Sequence, residues 1–152
     1  MIKKSAFTLI ELVFVIVILG ILAGIAIPRL GSSVNDAHVA KGRSDVAAIR
    51  AAIVSERQSR LLTGNVSYIN HIDKLTTTSS SDGDTLFDHN GTSANSLLQY
   101  GIISGSNDGD WRKTAQDTYK FKLQSGDHTF EYDTTAGTFR CTGGNDCADL
   151  TN

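Results

Sequence analysis

Sixteen residues in a row, Leu12 to Ile27, carry no charge and no side chain more polar than glycine, and Pro28-Arg29 closes the run. Counted from Phe7, the apolar stretch has 21 residues. That is ~31 Å of helix, enough to cross a bilayer core of ~30 Å. One carboxylate, Glu11, sits inside its front edge. A lone acid is costly in such surroundings, and its default reading is functional, with a partner to be found.

Lys3 and Lys4 precede the run and few charges follow it. This bias favours the amino end in the cytoplasm and the remainder outside. A cleaved secretory signal fits less well, because its apolar core is normally ~7–15 residues and ends at a small-x-small site. Here the run is longer, and Pro28-Arg29-Leu30 follows it. A plain single-pass anchor is the simplest reading.

The junction ahead of the run is more specific. A short basic leader, Met1-Ile-Lys-Lys-Ser-Ala6, gives way to Phe7-Thr-Leu-Ile-Glu11 and then to the run through Gly20, Gly24 and Pro28. This pattern resembles the prepilin leader and cleavage site of type IV pilins and type II secretion pseudopilins. The resemblance covers Met1 to about Leu30 and is architectural beyond. It implies cleavage between Ala6 and Phe7 by a membrane prepilin peptidase, followed by methylation of the new Phe7 amine. The family usually has Gly before the cut, where this chain has Ala6. The resemblance also implies that Glu11, the fifth residue of the mature chain, recruits and registers incoming subunits of a helical filament. The implied partners are other pilin-like subunits, the peptidase, an inner-membrane assembly platform, and the lipid bilayer before assembly. Gly20, Gly24 and Pro28 are similar to the part of such stems that bends or melts in assembled filaments. Pro28 lacks a helix donor and the glycines weaken the stretch before it, although both residue types are tolerated in membrane helices.

Cutting before Phe7 frees an α-amine with an ordinary pKa of ~7.7–8.0, mostly cationic. In apolar surroundings a carboxylate and an ammonium each lose hydration, and each relieves the other. Glu11 lies four residues, or ~6 Å, above its own amine. A neighbouring chain shifted along the axis offers a second amine. The third reading is an acid that snorkels to the interface and does nothing further.

Beyond the run, Gly31 to Leu62 continues as helix without proline. Val39, Val46, Ile49 and Ile53 form one apolar stripe, widened by small residues at Ala47, Ala48, Ala51 and Ala52. Thr63-Gly64-Asn65 supplies a stop. Residues 65–117 read as a polar connecting region with a short helix near Ser93–Tyr100, ended by Gly101. Tyr119–Leu123 and His128–Tyr132 alternate around a glycine-bearing turn and predict a hairpin, with Thr138–Cys141 as a third strand. The expected fold is α+β and pilin-like: a long amino-terminal helix packed on a small antiparallel sheet of about three strands. The expected divisions are a leader at 1–6, a membrane or filament-core helix at 7–30, an amphipathic stem at 31–62, and an extracytoplasmic head at 63–152.

Residues 63–152 carry six Lys/Arg against twelve Asp/Glu. So acidic a head argues against nucleic-acid binding by this subunit, which needs clustered basic residues. Outside the cytoplasm Cys141 and Cys147 are expected to pair and to pin the terminal loop. A metal site is the weaker alternative, since no His lies near them. No cofactor is expected. Three acidic clusters, at Asp82–Asp88, Asn107–Asp110 and Asn145–Asp149, raise calcium as an alternative, but polar turns explain them better. No nucleophile elbow, metalloprotease helix or phosphate loop is present, so an enzyme is not expected. The favoured reading is a filament subunit of a type II pseudopilus or a type IV pilus. Trp111-Arg-Lys-Thr lacks the Trp-Gly-x-Pro-Tyr segment common in major pseudopilins, so neither system is singled out. The competing reading is a monomeric, membrane-anchored binding module.

Overall fold

Helix α1 spans Leu9–Leu62 in the computed structural model, which describes residues 7–74, 78–89, 96–144 and 147–151. Its end is a full glycine cap. Gly64 takes φ +79°, Asn65 N–H donates to Arg60 O at 2.9 Å, and Gly64 N–H donates to Leu61 O at 3.0 Å. These are the paired bonds of a Schellman motif, and they satisfy carbonyls that the helix leaves open. By internal contacts the chain divides into two units, Met1–Asp36 and Ala37–Asn152.

In the first unit the large apolar side chains from Phe7 to Ile25 are exposed. In the second, α1 presents Val46, Ile49 and Ile53 to the core, with Val39 packed at its edge. Gly42 lies on the same side. A Cβ there would stand 2.6 Å from Phe121 Cε1 and 2.7 Å from Leu150 Cδ2, so only glycine lets the sheet come this close.

The core's other wall is a four-stranded antiparallel sheet in sequential order: β3 (Trp111–Ala115), β4 (Thr118–Leu123), β5 (Gly126–Asp133) and β6 (Thr138–Gly143). The period-two pattern does what a half-buried sheet requires. Tyr119, Phe121 and Leu123 of β4 are buried, as are His128, Phe130 and Tyr132 of β5. The hairpin register pairs Tyr119 with Phe130 and Phe121 with His128. Phe139 stacks on Phe130 at 5.3 Å between centroids, and Trp111 meets Phe121 at 5.0 Å. Trp111 is therefore a core anchor, completely buried.

The α+β layout is as expected, with one strand more at the sheet edge. β3 falls inside the stretch read as a connecting region. Its inward positions are Trp111 and Lys113, and an inward lysine hides the alternation. A separate two-stranded ladder joins β1 (Thr85–Leu86) to β2 (Ile102–Ile103). The helix expected near Ser93–Tyr100 is not found in its described part, where residues 97–100 form bends; Ser93–Asn95 lie outside the described residues. Leu98 N–H donates to Phe87 O at 3.1 Å, which ties this segment to the β1 end. Gly101 is not a helix stop, because a Cβ there would meet Thr85 Cγ2 at 2.3 Å. A short α2 (Ala148–Thr151) closes the chain and buries Leu150.

Candidate functional site

The amino-terminal segment is the site the sequence singles out. Leu9–Ala26 is long and apolar enough to cross a membrane, and none of it is buried. Thr8 and Glu11 start the helix as a reciprocal pair. The Glu11 carboxylate Oε2 accepts from Thr8 N–H at 2.9 Å and from the Thr8 hydroxyl at 2.7 Å, while Thr8 Oγ1 accepts from Glu11 N–H at 3.4 Å. This is a capping box, which satisfies donors at a helix start that have no partner within it. Its signal, Thr-x-x-Glu ahead of an apolar run, stands in the sequence. It overlaps the prepilin resemblance, and the two share Glu11. Phe7 is 76% exposed; Ala6 lies outside the described residues. α1 includes the positions of Gly20, Gly24 and Pro28. A Cβ added at Gly20 or Gly24 would meet nothing within 4 Å, so nothing in the single described chain demands glycine at either place.

In the second unit, α1 is fastened to the head by its polar side chains. Lys41 donates to Gly109 O, Arg43 to Asp149 O, and Arg57 to Val66 O. Arg50 Nε donates to Phe139 O at 3.0 Å, and Arg60 donates to Tyr68 O at 3.2 Å. Asp45 accepts from Trp111 Nε1 at 3.0 Å. Burial pushes the Asp45 carboxyl above its ordinary range, against the pull of the Trp111 donor and of Lys41. Tyr132, which donates to Ile69 O at 3.0 Å, has its phenol pushed up to about 12, chiefly by burial.

Cys141 and Cys147 form a disulfide with Cα atoms 5.9 Å apart. It holds α2 where Leu150 can pack against the Gly42 stretch of α1. The acidic clusters are engaged in turns and ion pairs. Asp84 Oδ2 accepts from Ser81 N–H at 2.7 Å, Asp110 Oδ2 accepts from Asn107 N–H at 3.1 Å, and Lys122 lies 3.9 Å from Asp108. Asp82 takes Arg112 and Ser106; the Ser106 hydroxyl and then the Arg112 guanidinium hold its carboxyl below the ordinary range. Asn145 and Asp146 lie outside the described residues. Among the described residues no group of three or more His, Cys, Asp or Glu is placed to hold a metal.

Comparison with known proteins bears on the amino-terminal segment. Residues 1–27 match the prokaryotic N-terminal methylation motif. The type II secretion system core protein G of Pseudomonas aeruginosa (strain PAO1) is 45% identical over 51 residues, covering 34% of this chain and 36% of that protein. The match thus spans about a third of the length of that curated relative. No solved structure matches. The chain therefore carries, over its first 27 residues, the prepilin-type methylation motif of the type IV pilin and type II secretion pseudopilin family.

Proposed function

We propose that this chain is a structural pseudopilin-like subunit, cut before Phe7 by a prepilin peptidase, methylated on the Phe7 amine, and assembled through α1 into a helical filament. The observation that carries the reading is an uncovered apolar helix, Leu9–Ala26, headed by the methylation motif. Before assembly, lipid covers that helix, with the head outside the cytoplasm. In the filament, equivalent helices of other subunits replace the lipid. Repetition of one non-closing contact between identical subunits gives a helical polymer. The similarity to a type II secretion protein favours a pseudopilus over a pilus. The head is proposed as structural, with no catalytic role, cofactor or nucleic-acid partner.

Glu11 serves this scheme without abandoning its cap. Both bonds from Thr8 end on Oε2, so among the described residues Oε1 is left for the Phe7 amine of a neighbouring subunit. Gly20 and Gly24 offer flat helix surface for close approach of a second helix.

Mass spectrometry of the mature chain from cells with an active peptidase tests the reading. The expected amino terminus is methylated Phe7. A chain that retains Met1 and stays monomeric in the membrane would instead be the anchored binding module. Glu11→Ala is expected to insert into the membrane normally and to fail to assemble; normal assembly by that variant removes the role given to the carboxylate.

A further inference from the structure

Lys113, Asp73 and Tyr119 make a dry cluster that filament assembly does not use. Lys113 and Tyr119 are 0% exposed and Asp73 is 3% exposed. Lys113 Nζ lies 2.8 Å from Asp73 Oδ1, and the Tyr119 hydroxyl donates to Asp73 Oδ2. Each carboxylate oxygen is thus held by a different donor. Lys113 and Tyr119 stand opposite each other in the β3–β4 register. Phe87 covers Tyr119 at 4.5 Å between ring centroids. Below, Ser80 Oγ accepts from Lys113 N–H at 2.9 Å and meets Ser104 Oγ at 2.7 Å. A lysine and an aspartate this deep are expensive to keep as two ions.

We propose that Lys113 and Asp73 are joined in the folded chain by an isopeptide bond between Nζ and Cγ, which ties β3 to the segment that follows α1. The pair supplies every atom the step needs. One proton passes from the Lys113 ammonium to Asp73 Oδ1, and the freed nitrogen lone pair attacks Cγ. Electrons of the C=O bond move to Oδ2, where the Tyr119 hydroxyl already donates. A second proton passes from nitrogen to Oδ1, the Cγ–Oδ1 bond breaks, and one water leaves as the Cγ=Oδ2 bond re-forms. The third hydrogen stays on the amide nitrogen, and nothing is oxidised or reduced.

Three features of the cluster favour the reaction. The reacting groups are held together by the fold rather than meeting by diffusion. Tyr119 stands where negative charge grows, and burial together with the neighbouring Asp73 carboxylate keeps its phenol protonated and able to donate. Exclusion of bulk water disfavours the return reaction. The product replaces two buried charges with one neutral amide.

Intact mass of the full-length chain, purified in detergent, reduced and denatured, tests the proposal. The expected mass is lighter by one water than that calculated for its amino terminus. Proteolysis is expected to release a branched peptide joining the stretches around Asp73 and Lys113. Tyr119→Phe keeps the ring and is expected to leave a large share of chains unjoined. Asp73→Asn is expected to reach the wild-type product mass by losing ammonia instead of water. A wild-type chain at the unmodified mass, digested into separate peptides around Asp73 and Lys113, overturns the proposal whether or not any variant folds.

Discussion

Replacing Gly42 by alanine sets two known effects against each other. A glycine inside a helix is about 0.8–1 kcal/mol less favourable than alanine, so the substitution should stabilise α1 by that amount if the space is open. The space is not open. The new methyl carbon would lie 2.6 Å from Phe121 Cε1, 2.7 Å from Leu150 Cδ2 and 3.0 Å from Phe121 Cζ. Phe121 is a rigid ring at 0% exposure, and Leu150 is 1% exposed. Leu150 also sits on α2, which the disulfide and the bond from Arg43 to Asp149 O hold in place. Overpacking of this kind costs ~1–3 kcal/mol, so the net expectation is a loss of about 0–2 kcal/mol after the propensity gain. Urea unfolding in detergent, followed by the fluorescence of the single tryptophan, Trp111, reads the head directly. Gly20→Ala is the control, since its Cβ meets nothing within 4 Å, and it should not weaken the head. Adding Leu150→Ala to Gly42→Ala should cost less than the two changes summed, because the leucine no longer collides with the new methyl. Gly42→Ala stabilising the head by the full ~1 kcal/mol of helix propensity would refute the close approach of helix and sheet.

Asp45→Asn keeps an acceptor for Trp111 and removes a carboxyl whose folded-state pKa is raised by burial. That raised value contributes stability that is full below the unfolded pKa and is lost as pH rises through the folded one. The variant's advantage over wild type should therefore grow from about pH 4 upward and then level off, as read by urea midpoints across pH. Replacing Cys141 and Cys147 with serine should cost less than the ~3 kcal/mol that chain entropy assigns to a 15-residue loop, and limited proteolysis should then begin at α2. Gly64→Ala forces a side chain to adopt φ +79°, and thermal unfolding should show a loss of ~1 kcal/mol.

The parts of this fold legible in sequence are those whose cause is local. The stripe at Val46, Ile49 and Ile53, the glycine stop at Gly64 and the alternation in β4 and β5 each follow from neighbours within a few residues. What escaped depends on distant partners. Lys113 makes β3 look polar until Asp73, forty residues earlier, is found beside it. Gly101 resembles a helix stop in the bare sequence, but it is small because β1 passes against it. Trp111 is buried with its indole N–H on Asp45, a partner far back in the chain that no local pattern reveals. At the amino terminus Thr8-Leu-Ile-Glu11 spells a capping box openly, and both bonds from Thr8 fall on one oxygen of the carboxylate.

The fastenings along α1 also have a mechanical sense. From Lys41 to Arg60, successive helix side chains hold Gly109, Asp149, Trp111 and Phe139 of the head, and then Val66 and Tyr68 of the segment that follows the helix. A pull along the helix axis loads these bonds in parallel, and they must yield together. A sideways lift meets them one after another, like a seam opened from its end. The head is thus fastened to resist traction along its own stem better than peeling away from it.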